Sequence, residues 1–420
     1  MKPILKSLCV VIALCFAGNT KSYSQDLSTP SQPAVELFET IPEIKPSVVD
    51  TIKPDTNEVI DPVESMSYQT AKQNFDSALA SHRSHNYQAG GCDNPPNGAY
   101  QSVDAGYFNY EGFDGLVRAF KVTGDESYIN DMLTMANNHI DSGRNEVSPD
   151  GYHDWYSCNN GPYNDHHYEW RAAAGIGMFL TLLLDRTDLR LSTPETRSKL
   201  GHFLRDQVWS KWQGRSAPLN HDVSNTGGAT HMIARLIPVV IALEQYEGGT
   251  APSTPNKSYA NWLENIVPKA LQEHIMHPQN LNPDGVSGNF WGRINPAPGD
   301  DVSGTLSPGS NDVGHAQDVF VGMLYAAERG VLSDPEGVRS RLAGAVNNVI
   351  WDGNNFNDWV NGKAPKNAKT PEGLLGILEY SPGNRDNFYN WSLSNINVTS
   401  NSFASRMQVW AYFMAAYASR

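Results

Sequence analysis

Apolar positions recur at intervals of three and four residues along most of the chain beyond residue 67, and the strict alternation expected of strands is scarce. The pattern predicts helices over Tyr68–His82, Ala105–Val122, Glu126–Asp141, His167–Asp185, Thr193–Trp212, Gly228–Gln245, Tyr259–Met276, Val313–Arg329, Pro335–Ile350, Pro371–Leu378 and Ser402–Ala418. Short turns join them in pairs, as at Thr123-Gly124-Asp125, Thr187–Ser192, Glu247–Lys257 and Gly330–Asp334. Within several pairs the members differ in kind. Ala172-Ala173-Ala174-Gly175-Ile176-Gly177-Met178-Phe179-Leu180 is apolar nearly all round, whereas Glu195–Trp209 carries a single apolar stripe. The first type is buried and the second lies outside. Inner helices alternating with outer ones predict an all-α chain over residues 67–420, folded as an α/α toroid of about six or seven helical hairpins.

In such a toroid the inner helices all run the same way, so their starts share one rim. Polar residues gather at each predicted start: Tyr107, Asn109, Tyr110 and Glu111; Tyr163 to Glu169 with Arg171; Asn220 to His231; Asn311, Asp312, His315 and Asp318; and Asn397, Asn401, Ser402 and Arg406. The stretch Asn220-His221-Asp222-Val223-Ser224-Asn225-Thr226-Gly227-Gly228-Ala229-Thr230-His231 is the densest of these, and it feeds the apolar helix Met232–Gln245. A polar loop entering a buried helix presents chemistry to a cleft, although it equally describes a well-capped core helix. Between the inner helices lie Gly151-Tyr152-His153-Asp154-Trp155-Tyr156, Asn282-Pro283-Asp284-Gly285 and Asn289-Phe290-Trp291-Gly292-Arg293. Aromatic faces beside planar hydrogen-bonding groups suit sugar rings, so Trp155 and Trp291 are candidate stacking platforms.

Composition adds an address and a partner class. Lys2 and Lys6, the apolar run Leu8–Ala17 and the small residues up to Ser24 read as a secretory signal over residues 1–24, and residues 25–66 as a disordered, acidic, Pro-rich leader. A secreted or periplasmic protein is expected. The formal charge is −14 over 420 residues; without the three signal lysines it is −17, and the leader's nine acids and two lysines carry −7 of that. An acidic chain argues against nucleic acid and anionic membranes as partners. Cys92 and Cys158 sit in Asn/Gly/Pro-rich loops and form a candidate disulfide in an oxidising compartment, two free thiols being the alternative. A monomer is expected, with no cofactor and no metal.

Three local patterns resemble the α/α-toroid polysaccharide lyases, the group that includes alginate, glucuronan, chondroitin and hyaluronan lyases. Tyr163–Leu184, with Tyr168-Glu169-Trp170 ahead of a Gly-containing apolar stretch, resembles their aromatic-rich inner helix. Asn225-Thr226-Gly227-Gly228-Ala229 resembles the Thr-Gly start of their next inner helix. Asp284-Gly285, followed roughly thirty residues later by Gly314-His315, resembles the segment that delivers catalytic groups. The Asn-Asn-His run of typical alginate lyases is Leu219-Asn220-His221 in this chain, and no Tyr directly precedes the helix at His315.

The resemblance implies β-elimination at a uronic acid in an anionic polysaccharide. Such a reaction needs the sugar carboxylate neutralised, a base working near neutral pH and an acid for the leaving oxygen. Asn225 and Arg293 suit the first task, His315 with His231 the second, and Tyr168 or Tyr163 the third. Tyr163, His166, His167, Glu169, Asn220, His221, Trp155 and Trp291 are then candidate substrate contacts. A hydrolase would instead need two carboxylates flanking the glycosidic bond, from among Asp154, Asp165, Glu169, Asp312 and Asp318. His153, His166-His167 and His315 with Asp318 could supply metal ligands, but no recognised ligand spacing is present. A glycan-binding protein without catalysis would keep the aromatics and need no titratable cluster.

Overall fold

The computed structural model describes residues 62–87, 103–142, 150–157, 161–163, 166–214, 230–248, 259, 263, 313–357, 372–399 and 402–418. All of them belong to one unit, Val59–Arg420. The predicted elements Tyr259–Met276 and the loops around Asp284 and Trp291 lie largely or wholly outside these residues, as do the signal and leader segments and both cysteines of the expected disulfide, Cys92 and Cys158.

The described chain is mostly helical: α1 (Pro62–Ser84), α2 (Val103–Thr123), α3 (Ser127–Ser142), α4 (His166–Asp185), α5 (Pro194–His202), α6 (Lys211–Gly214), α7 (Thr230–Glu247), α8 (Val313–Glu328), α9 (Pro335–Ala345), α10 (Arg385–Thr399) and α11 (Phe403–Ala418). A 3₁₀ helix covers Glu372–Tyr380, where an ordinary α-helix is expected from the sequence. One small hairpin, β1 (Trp155–Ser157) against β2 (Gly161–Tyr163), is antiparallel with Trp155 opposite Tyr163. Helix α10 is absent from the sequence pattern, because Asn and Ser dominate it. Phe388 and Ile396 nevertheless bury completely along one side, and this packing overrides weak propensity.

Capping sets several boundaries. Thr193 and Asp334 accept backbone N–H groups of Thr196 and Gly337 ahead of Pro194 and Pro335, the arrangement that satisfies orphan donors at a helix start. After α2, Gly124 adopts φ +70° and its N–H reaches Phe120 O at 2.8 Å, ending the helix with a left-handed residue.

Two stretches are wound as π-helix, Phe203–Ser210 between α5 and α6 and Val346–Ile350 after α9. The buried residues explain the winding. Phe203 with Val208 and Leu204 with Trp209 are spaced by five, as are Ala345 with Ile350 and Val346 with Trp351. A helix that hides residues at this spacing must widen its turn, and Trp351 N accordingly bonds Val346 O at 2.9 Å.

Helix α2 packs on α4, α4 on α7, α7 on α8, α8 on the 3₁₀ helix, that helix on α11, and α11 back on α2. Helices α1 and α10 lie against α11, α3 against α2, α5 against α4 and α9 against α8. The first group holds the most thoroughly buried sequence, including Ala173, Ala174, Ile176, Phe179, Val239, Val240, Phe320 and Trp410. Glycines let these helices approach. A Cβ on Gly177 would lie 2.6 Å from Pro238 O of α7, an atom that cannot move aside without shifting backbone. Gly177→Ala should therefore lower the unfolding free energy by about 1–3 kcal/mol, read from urea melts, whereas an unchanged midpoint would mean that α4 and α7 stand further apart.

Candidate functional site at the helix starts

Helices α2, α4, α7, α8 and α11 each send a polar side chain from their N-terminal half into one buried cluster. Arg171 of α4 stands at its centre: Nε donates to Asp318 Oδ1 at 3.0 Å and Nη2 to Glu111 Oε1 at 2.5 Å. Arg235 of α7 donates through Nε to the other oxygen of Asp318 at 2.6 Å, and its Nη2 pairs with the same oxygen. Ser405 Oγ of α11 donates to Glu111 Oε2, and Gln317 Nε2 to Glu111 Oε1 at 3.5 Å, while Gln317 Oε1 accepts Gly373 N–H from the 3₁₀ helix at 3.3 Å. None of Glu111, Arg171, Arg235 and Asp318 is more than 3 % exposed.

Two guanidiniums against two carboxylates make the cluster neutral overall. Burial alone would push the Asp318 carboxyl up, but Arg171 and Arg235 outweigh it and hold the group below its usual range. One turn further along α2, Asp114 collects Tyr412 OH at 2.5 Å, Gln408 Nε2 at 3.0 Å and Arg118 Nε at 3.1 Å. Polar bonds between neighbouring helices thus run in layers down α2, beginning near the helix starts.

The cluster also fixes the level of three candidate catalytic positions. Tyr168 precedes Arg171 by three residues in α4, His231 precedes Arg235 by four in α7, and His315 precedes Asp318 by three in α8. These spacings set each backbone position about one turn nearer the helix start than its partner. The structure thereby brings Tyr168, His231 and His315 to one end of the helix group, on three adjacent elements. His166 and His167 open α4 and Tyr163 ends β2 immediately before it. Asn220, His221, Asn225, Trp291 and Arg293, together with Asp165 and Asp312, lie outside the described residues.

Two candidate substrate contacts are placed differently from expectation. Trp155 is 2 % exposed, with its ring stacked on His139 at 5.1 Å and 3°, Phe203 edge-on at 5.8 Å and Lys211 Nζ 5.0 Å from the ring centre. Its indole N–H bonds His139 O at 2.9 Å. The ring packs the foot of the hairpin and offers no open face to a sugar. Glu169 is likewise withdrawn: Oε1 accepts from Lys211 Nζ at 2.7 Å and Oε2 from Trp212 Nε1 at 2.8 Å. Lys211 also pairs with Asp154 at 2.8 Å and donates to His153 O at 2.7 Å. This buried lysine clamps the strand leading into β1 onto the start of α4. Burial pushes the Glu169 carboxyl up to about 7 against the pull of Lys211.

His139 under Trp155 has no hydrogen-bond partner on either ring nitrogen among the described residues, and burial, with Lys211 nearby, lowers it to about 3. The folded protein keeps it neutral where the unfolded chain would protonate it, so its contribution is complete above pH ~6.5 and declines as pH falls toward 3. Glu169 acts in the opposite sense, losing its contribution as pH rises through 7, so a variant isolates the histidine. His139→Phe should be neutral or stabilising at pH 7.5 and about 2 kcal/mol more stable relative to the parent at pH 5. Urea melts at the two pH values check this, and parallel losses in both proteins would contradict it.

Arg235, Gln317 and Ser405 belong to the cluster but are not among the polar helix-start residues that stand out in the sequence. The available signal is an arginine inside Ile233-Ala234-Arg235-Leu236-Ile237, since a cation in a helix apolar on all sides needs a buried anion. Asp318 within Ala316-Gln317-Asp318-Val319-Phe320 is the complementary signal on α8. Among the described residues no group of three or more His, Cys, Asp or Glu side chains is arranged to hold a metal ion, and no helix is long and apolar enough to cross a membrane. No protein-family model matches the chain, and no curated protein sequence matches it.

Proposed function

We propose that the chain is an exported polysaccharide lyase on an α/α toroid, cleaving a uronic-acid-containing polysaccharide by β-elimination. The packing sequence that leaves α2 and returns to it through α11 supports the toroid, with α1, α3, α5, α9 and α10 as outer members. The observation that carries the reaction is the common level of Tyr168, His231 and His315 above the Glu111–Arg171–Asp318–Arg235 cluster. In this reading His315 removes the proton beside the sugar carboxylate, with His231 close to it in role. Tyr168 or Tyr163 protonates the departing glycosidic oxygen, and Asn225 and Arg293 stabilise the charge that builds on the carboxylate. The C–O bond breaks as the carbon–carbon double bond forms, and no water is consumed. His166, His167, Asn220, His221 and Trp291 remain as substrate contacts.

The rival hydrolase draws less support. Its two acids must reach substrate and water, and three of its five candidates, Asp154, Glu169 and Asp318, are buried and paired with Lys211 or with arginines, which leaves it Asp165 and Asp312, outside the described residues.

The test is to incubate the protein with alginate, glucuronan, hyaluronan, chondroitin, pectate and neutral glycans, following ultraviolet absorbance and reducing ends together. Absorbance rising with new reducing ends supports the lyase and names its substrate. Reducing ends without absorbance replace it with a hydrolase.

A further inference from the structure

A cavity of about 440 Å³ opens at the other end of the same helices, among the last turns of α2, α8 and α11, the 3₁₀ helix and Arg339 of α9. Lys121 lies ten residues beyond Glu111 on α2, which puts this mouth roughly 15 Å along the helix from the buried cluster. Its lining mixes charged side chains with an apolar strip of Val122, Leu324 and Ala415, and it includes the Tyr380 ring. Its charges are mostly spent on one another: Lys121 pairs with Glu328, and Arg339 pairs with Glu336 and lies 5.6 Å from the centre of Tyr380.

Arg118 is also paired, yet it keeps its fork free. Its Nε is tied to Asp114 at 3.1 Å and its guanidinium carbon sits 4.6 Å above the Tyr412 ring, so its plane is fixed from two sides. The side chain is 18 % exposed and lines the cavity, and its two terminal nitrogens have no hydrogen-bond acceptor among the described residues. A planar cation held by Nε and ring, with its fork unused, is prearranged for two parallel bonds to a carboxylate. Glu379 also lines the cavity, is exposed and has no ion-pair partner among the described residues, so it opposes an anion.

We propose that this cavity binds a small organic monocarboxylate, its carboxylate on the Arg118 fork and its body against Tyr380 and the apolar wall. A single negative charge fits, because one guanidinium fork is unused while Glu328, Glu379 and the helix-end carbonyls repel a dianion. The site is separate from the helix starts and does not depend on the reaction proposed for them.

Benzoate and glucuronate, with benzyl alcohol and glucose as neutral counterparts and inorganic phosphate as a dianion, are titrated by calorimetry into the full chain and into Arg118→Lys, Glu379→Gln and His315→Ala. Saturable binding of at least one carboxylate is expected, with neither neutral counterpart nor phosphate matching it. Arg118→Lys keeps the charge and loses the fork, so binding weakens at least about tenfold, the scale of one charge-assisted hydrogen bond. Glu379→Gln lies on the surface and should tighten binding about two- to fivefold; it serves on its own if Arg118→Lys does not fold. His315→Ala leaves benzoate binding unchanged. Failure of both carboxylates to bind, equal binding of phosphate, or indifference to both Arg118→Lys and Glu379→Gln overturns the assignment.

Discussion

Replacing Arg171 with methionine should lower the free energy of unfolding by about 3–5 kcal/mol, the scale seen when one partner of a buried ion pair is removed. The loss comes less from the missing attraction than from the groups left behind. Glu111 would retain Ser405 and a long contact to Gln317, and Asp318 would retain Arg235, but both carboxylates stay out of water with one partner fewer. For a fold whose whole margin is typically ~5–15 kcal/mol, this is a large fraction. Urea unfolding of the Arg171→Met variant measures it directly. A loss under about 1 kcal/mol would mean that water reaches the cluster and that the helix starts are not held as described. Conversion of Glu111, Arg171, Arg235 and Asp318 together to apolar residues of similar size should recover much of the stability, since a buried ionic group is often replaceable as a set though not one member at a time.

His315→Ala should reduce turnover on the substrate found by the glycan panel by about 10²–10⁴-fold, the usual contribution of a positioned general base, with little change in unfolding free energy. The two measurements separate the positions along α8: His315 bears on rate and Asp318, three residues later, on stability. The pH dependence of kcat/KM adds a second reading, because loss of a histidine base removes the limb at lower pH, where imidazolium is inactive. Full activity in His315→Ala would transfer the base to His231, whose own alanine variant would then show the loss. Full activity in both would remove the histidines from the mechanism.

The fold was legible in the chain to the extent that packing follows period. Thr193-Pro194 and Asp334-Pro335 announce their helices, and the contrast between Ala172–Leu180 and Glu195–Trp209 distinguishes a helix buried all round from one with an exposed face before any contact is known. Helix α10 escaped because Asn387, Asn390, Ser392, Ser394 and Asn395 suppress the local signal, and only tertiary contact supplies the reason to wind. The 3₁₀ segment at Glu372–Tyr380 is apolar on nearly every side, a pattern that does not distinguish its pitch from an α-helix. At the candidate site, Glu111, Arg171 and Asp318 stand out in the sequence as polar residues at helix starts, yet their mutual pairing is a long-range fact that no local window contains. Trp155 and Glu169 misled for the same reason. Their neighbours in sequence describe an aromatic polar loop, whereas the groups that cover them, His139 and Lys211, come from other helices.

The widened turns at Phe203–Ser210 carry a consequence for how this chain tolerates changes in length. A π-helical stretch is in effect an α-helix with one residue too many, accommodated locally so that both flanks keep their orientation. Removing Gln207 would bring Phe203 with Val208 and Leu204 with Trp209 to a spacing of four, the period of an ordinary helix face. The downstream Lys211 and Trp212, which grip Glu169, would stay in register. The same deletion in the regular part of α4 would rotate Arg171 away from its carboxylates. Shortening by one residue is thus survivable at one place and ruinous at another, and a family of related chains would be expected to differ in length at the first.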